Sequence, residues 1–206
     1  ITDPTEDDRL VENIPYVVMG QVDDDDEAAD SLVTHWRIGT RDACTDVIPG
    51  ADGSTQCELT MRADDHDDGQ VKISLTVVDS RNANATTHVM AQAVPNQPPE
   101  VSIIVPADGG DTPMRFYADQ PVELVGQVSD AEDGLGDLSI QWESTGDGVL
   151  PLEIDVEADG TVRNTTFLAE GNQMLTLSAT DLGGLTASDQ VLIAVVGPNE
   201  PPLCTI

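Results

Sequence analysis

The stretch "QVSDAEDGLGDLSIQW", Gln127 to Trp142, repeats the plan of an earlier one, "QVDDDDEAADSLVTHW", Gln21 to Trp36. Each opens Gln-Val, passes through a knot of acids and reaches a tryptophan at the same distance. The match extends backwards without a gap, since Pro15 and Gly20 align with Pro121 and Gly126. It extends forwards as well: "ISLTVVD" ending at Asp79 aligns with "LTLSATD" ending at Asp181. "PNQPPEVSI" (Pro95–Ile103) returns as "PNEPPLCTI" (Pro198–Ile206), and Ile1 and Pro4 keep the spacing of Ile103 and Pro106. Such self-similarity marks repeated domains. The expected division is a repeat over 1–95 that lacks its first few residues, a complete one over 96–198, and the start of a following repeat over 199–206.

Each repeat reads as strands. Val122, Leu124, Gly126 and Val128 share one face, and Tyr16, Val18, Gly20 and Val22 repeat the scheme. Leu175, Leu177 and Ala179 alternate likewise, as do Ile73, Leu75 and Val77, and the last strands put Val89 with Ala91 and Val191 with Ile193. Period-two alternation is the mark of a half-buried strand, and no segment carries a helical period. Short strands at regular spacing over about 100 residues predict an antiparallel sandwich. The expected fold is all-β, two tandem Ig-like sandwiches of about seven strands each, with Trp36 and Trp142 in the cores.

Composition narrows the function. There are 39 acids against 8 Lys and Arg, a formal charge of −31 over 206 residues. That field repels nucleic acid and anionic lipid, so neither is an expected partner. No run of about 18 apolar residues exists to span a membrane. Lysine occurs once, at Lys72, which suits a saline or calcium-rich medium. Absence of a signal peptide at Ile1, in a sequence that begins mid-pattern, reads as a fragment or a processed product.

Cys44 and Cys57 flank "TDVIPGADGSTQ", where Pro49-Gly50 and Asp52-Gly53 signal turns. A turn there would bring the sulfurs together, and a disulfide closing such a loop stabilises by about 3 kcal/mol in the chain-entropy model. Two unlinked thiols are the alternative. Cys204 is either free or belongs to a following unit.

"IQWESTGDG" (Ile140–Gly148) followed by "EGNQMLTLSATD" (Glu170–Asp181) resembles the PKD-type domain. The order "PP…VPADG…VSDAEDG…W" is similar to the Ig-like and cadherin-like repeats of large bacterial surface and adhesin proteins. The first repeat departs from it, because "THWRIGTRDAC" lacks the Gly-Asp-Gly segment. The resemblance implies an extracellular or cell-surface spacer, an adhesin stalk, and no enzymatic activity.

Successive strands of a sandwich reverse direction, so the second-to-third loop, the last turn and the N-terminal linker share one pole. In the second repeat that pole would gather Asp130, Glu132, Asp133, Asp137 and Asp181 with Asn96 and Glu100. The equivalent set in the first is Asp24, Asp26, Glu27, Asp30 and Asp79. "ADDHDDG", with Asp64, Asp65, Asp67 and Asp68, would fall at the opposite pole of the first repeat, facing the second across the Pro-rich linker. Carboxylates at about 4 Å repel by roughly 1 to 4 kcal/mol per pair, depending on the dielectric. Ca²⁺ fits such a set, since it takes six to eight hard oxygens in flexible geometry. Zinc would want grouped Cys or His, and His35, His66 and His88 are scattered. The alternative is plain solvation of the acids. "DDHDDG" is not an EF-hand, as His66 and Leu75 occupy ligand positions.

Catalytic motifs are absent: no Gly-x-Ser-x-Gly, and no histidine near Ser144 or Ser178. Asn84-Ala85-Thr86 and Asn164-Thr165-Thr166 are unassigned sequons. The leading reading is a structural extender whose partners are neighbouring repeats, with junctions stiffened by Ca²⁺. Two others stay open: a glycan- or protein-binding sandwich, and a segment of an extracellular fibre contacting other copies. Leu192, Ala194 and Val196 hint at a lateral surface for the last, or else at a covering linker.

Overall fold

The computed structural model describes residues 1–110, 112–201 and 204. The chain divides into two compact units, Ile1–Asn96 and Gln97–Ile206. Of the expected third repeat, 199–206, residues 202, 203, 205 and 206 lie outside the described residues.

The first unit runs β1 (Arg9–Val11), β2 (Pro15–Gln21), β3 (Val33–Ile38), β4 (Arg41–Val47), β5 (Ser54–Thr60), β6 (His66–Asp67), β7 (Gln70–Val78) and β8 (Asn84–Val94). One sheet has the order β1-β8-β7-β3-β4, with β6 beside β7, and the other is the pair β2-β5. The second unit runs β9 (Glu100–Val105), β10 (Met114–Tyr117), β11 (Val122–Ser129), β12 (Ser139–Ser144), β13 (Gly148–Val149), β14 (Thr161–Thr166), β15 (Gly171–Thr180) and β16 (Thr186–Val196). Its sheets are β10-β16-β15-β12-β13 and β14-β11-β9. Two-residue strands, β6 and β13, account for the count above the expected seven. Among the described residues helix is confined to 3₁₀ turns at Ala29–Ser31, Ala63–Asp65 and Leu135–Asp137.

Alternation builds each core. Val18, Trp36, Ile38, Val71, Ile73 and Leu75 meet in the first; Leu124, Val128, Trp142, Leu175, Leu177 and Ile193 meet in the second. Both tryptophans are fully buried. Each lies across a glycine of the facing sheet: a Cβ on Gly20 would meet Leu75 Cδ2 at 2.7 Å and the Trp36 ring at 3.1 Å. Gly126 is closed in the same way, by Leu177 and Trp142. The aligned glycines are therefore packing residues. The indoles differ in one respect. Trp36 Nε1–H donates to Thr55 Oγ1 at 3.3 Å, whereas Trp142 Nε1 is buried without an acceptor, the position matching Thr55 being Val162.

Each sandwich also shields one edge alike. β1 lies parallel to β8 (Leu10 opposite Ala93), and β10 lies parallel to β16 (Arg115 opposite Ala194). An open strand edge is a template for unwanted pairing, and a short cover strand blunts it. Leu192 is exposed while Ala194 and Val196 are half-buried.

Cys44 and Cys57 form the disulfide, with Cα atoms 6.0 Å apart. The turn between them does not join paired strands. Cys44 is on β4, paired with β3, and Cys57 is on β5, paired with β2. The bond therefore ties one sheet to the other.

Candidate functional site: the acidic pole of each unit

The loop after β11 is short of main-chain acceptors, and its acids supply them. Asp130 Oδ1 accepts from the N–H groups of Glu132 (2.9 Å) and Asp133 (2.7 Å). An aspartate accepting from the backbone two and three residues on makes a turn of itself. Asp133 Oδ2 then accepts from Leu182 N–H at 2.9 Å, in the turn between β15 and β16. That turn is built on Asp181, whose Oδ1 accepts from Leu185 N–H at 2.8 Å and which is only 6% exposed. Glu132 Oε2 accepts from Gln97 N–H at 3.3 Å, and Ser129 Oγ donates to Glu100 at 3.5 Å.

The first unit repeats the device. Asp24 Oδ1 accepts from Asp26 and Glu27 N–H, each at 3.0 Å. Glu27, at the position of Asp133, accepts from Ser80 N–H at 3.2 Å. Asp79, at the position of Asp181, accepts from Arg81 (2.9 Å) and Ala83 (2.7 Å) N–H. Arg81 adds an ion pair to Asp26, and its guanidinium is held above its ordinary value by that contact. The Asp24 carboxyl is held below the usual carboxylate range, first by the Asp26 N–H. The equivalence is thus of bonds, not merely of charge: a turn-forming Asp, a carboxylate that reaches the last hairpin, and the Asp on which that hairpin is built.

The remaining acids behave differently. Asp30 and Asp137 sit exposed on the two 3₁₀ turns and make no contact with the hairpin that the structure records. Asp64, Asp67 and Asp68 are exposed at the other end of the first unit, by the β6–β7 turn. Asp65 departs from its expected part as an ion ligand. It is 7% exposed, and both its oxygens face Arg41, at 3.1 Å (Nε) and 2.5 Å (Nη2). Asp65 also accepts from Arg62 N–H, and Arg41 donates to Thr60 O. A buried carboxylate needs such a bidentate partner, and Arg41 is its counter-ion. No sequence signal gave this, because the partners are far apart along the chain. His66 Nε2 pairs with Glu12 at 2.7 Å, again away from the exposed acids.

Among the described residues, no three His, Cys, Asp or Glu side chains converge closely enough to hold a metal ion between them. One observation points the other way. Asp130 Oδ2 is buried and has no hydrogen-bond partner, although its sister oxygen has two. Hydrogen-bonded loop architecture is what these acids do chemically within one unit.

A second repeated device lies beside the core. Gln21 Nε2 donates to Asp52 O, and Gln127 Nε2 donates to Asp159 O. Asp52 and Asp159 each accept from a backbone N–H two residues on, and both carboxyls are lowered by those contacts, Asp52 foremost by the Ser54 hydroxyl.

No family model and no curated protein matches the sequence. Among solved structures, the chain is similar to the fibronectin(III)-like modules of Clostridium thermocellum CbhA, at 15% identity over 99% of this chain and 97% of that one, TM-score 0.48. It is also similar to the tandem Ig repeats of Dlar (10% identity, 93% and 94% covered, TM-score 0.31). Protocadherin gammaB7 EC3-6 gives 16% identity, 96% and 46% covered, and TM-score 0.38. With these scores under 0.5, the assignment rests on the sheets. They define a tandem of Ig-like β-sandwich repeats.

Proposed function

We propose that the chain is a spacer segment of a secreted or cell-surface repeat protein, an extender of the adhesin-stalk kind. What supports this is the copying of the polar scaffold. Two units that share only a core would satisfy any sandwich; these also share the Asp–carboxylate–Asp bonding of one pole, bond for bond. A binder or an enzyme departs from its repeat where its ligand sits, and these three bonds of the acidic pole are kept in both units. The inter-sheet disulfide suits an oxidising compartment. Among the described residues no helix is long and apolar enough to cross a membrane. The test is single-molecule extension between the chain ends. A spacer gives two separate unfolding events, each releasing on the order of 300 Å at about 3.5 Å per residue. A featureless stretch at low force would overturn the reading.

Calcium at the acidic pole is a second reading, carried by the buried, donorless Oδ2 of Asp130. Carbonyl oxygens and water would have to complete the shell, which calcium accepts. Melting with millimolar CaCl₂ and then with chelator decides it. A ligand held at 100 times its Kd adds about 2.7 kcal/mol; identical curves, with no heat in calorimetry, remove calcium from the account.

A further inference from the structure

The two units close one edge of their larger sheet differently. In the first, β4 runs for 7 residues beside β3, with Val47 opposite Thr34 and Cys44 opposite Trp36. In the second, β13 has only 2 residues, placed opposite Glu143 and Ser144. Past them the chain leaves this edge for the other sheet. Asn164 Nδ2 on β14 donates to Glu153 O at 2.8 Å, and Val156 bridges to Val162. Asn164 stands at the position of Cys57, because they face the aligned residues Leu124 and Val18 of the neighbouring strand. The first unit anchors its cover strand from that position by a disulfide and keeps it on β3. The second holds its chain against β14 instead.

A stretch of β12 is left uncovered. Trp142 O accepts from Leu150 N–H at 2.9 Å, so the main-chain groups of Trp142 face away from β15. Those of Ile140 and Leu138, two and four residues back, face the same way. No partner for them on that side is recorded among the described residues. Ile140 is half-buried, whereas Thr34, at its position in the first unit, is fully buried. Beside this stretch runs a groove lined by Leu135, Leu138, Ile140, Ile154 and Val156, with Asp155 as its one charge. Free main-chain groups next to apolar side chains are what an added strand binds.

We propose that this edge takes, as an added strand, an extended cationic segment of a partner protein in which apolar residues alternate with Lys or Arg. The period of a strand sets the alternation, since one face of the incoming chain meets the groove and the other meets water. Charge sets the sign. Glu143 on β12, Asp137 on the turn before it, and Glu153 and Asp155 on the segment beyond are all exposed. The second unit holds two cations, Arg115 and Arg163. Arg163 is paired with Glu157, and Arg115 lies on β10, at the far edge of the same sheet. A second copy, at charge −31, would be repelled as an anionic peptide would. Docking here adds to the spacer role, and that role stands without it.

The probe is a capped peptide, Lys-Val-Lys-Val-Lys-Val, titrated into the 206-residue chain at about 0.15 M salt, where the Debye length is about 8 Å. Amide exchange followed by NMR should show the Ile140 N–H slowed as peptide is added. The Gln141 N–H, already turned to β15, should not change. The same peptide with alternate amides N-methylated keeps its charge and loses donors. Its affinity should fall by about tenfold, the worth of one or two main-chain bonds. Asp155→Lys, an exposed change, should weaken the unmodified peptide several-fold and leave the melting temperature as it was. A peptide with Glu in place of Lys should not bind. Equal binding of the N-methylated peptide would show charge adhesion only and overturn the proposal. So would an Ile140 amide that the peptide leaves unprotected, or one slowed simply by concentrating the chain, which would make a second copy the occupant.

Discussion

Two glycines, Gly20 and Gly126, are held by the side chains packed over them. Gly126 has no room for a methyl group, because its Cβ would overlap Leu177 Cδ2 while Trp142 Cζ2 waits at 3.5 Å. Overpacking of this kind costs about 1–3 kcal/mol. Gly126→Ala should therefore lower the unfolding free energy by that amount, read as a lower denaturant midpoint at unchanged slope, and Gly136→Ala, with nothing near its Cβ, should not. Tyr16 makes a second residue-scale case. Its hydroxyl donates to Asp3 at 2.6 Å, and this bond, ahead of burial, pushes the phenol from 10.0 up to about 12. The folded state thus favours the protonated phenol. Its contribution to stability is present below pH 10.0 and is lost as pH rises towards 12. In a Tyr117→Phe background, phenolate absorbance should appear near the higher value and move back towards 10.0 in Asp3→Ala. The glycine alignment was readable beforehand, since a residue without a side chain recurred at matched positions on a buried face. Its reason was not, because the indole above it comes from the opposite sheet.

At the scale of elements, the loop between the second and third long strands is tied to the main chain of the last hairpin by Glu27 in the first unit and Asp133 in the second, and the first unit adds the Arg81–Asp26 ion pair. Asp133→Ala removes the acceptor of Leu182 N–H while leaving the turn at Asp130 intact. The expected loss is about 1 kcal/mol, an exposed charge-assisted bond. Hydrogen exchange should show it locally, with the Leu182 amide released and the amides of β12 unchanged. Asp133→Asn, which keeps an acceptor, should restore most of the protection. The sequence revealed which loops were acidic and which turns they would meet, because strand reversal dictates that. It did not reveal that carboxylates would serve as stand-ins for main-chain carbonyls. Charge pattern alone cannot distinguish an acid facing water from one facing N–H groups. Asp65 is the sharpest instance: it sits in a run of acids and turns inward to Arg41, a partner 24 residues away. The disulfide gave the converse lesson. Spacing and turn residues brought Cys44 to Cys57, but local signals could not tell a hairpin from a crossing between layers.

The molecule as a whole carries its charge by spreading it. At the two poles Asp24, Asp79, Asp130 and Asp181 are each fixed to N–H groups of their own turn, so the folded state does not gather them around one point. The boundary between units, after Asn96, falls in "PNQPP", a segment whose prolines mark an end of pairing and which was visible as a repeat before any strand was assigned. The inter-sheet bond breaks this evenness. Tension applied along the chain reaches Cys44 and Cys57 as a covalent stop, and the 13-residue separation between them stays slack inside a closed ring. The first unit should consequently yield roughly 45 Å less length than its residue number allows, at about 3.5 Å per residue. Adding a reductant should return that missing length to one of the two unfolding steps and leave the other as it was. A repeat with a redox-set limit to its stretch, next to one without, holds two different reserves of slack.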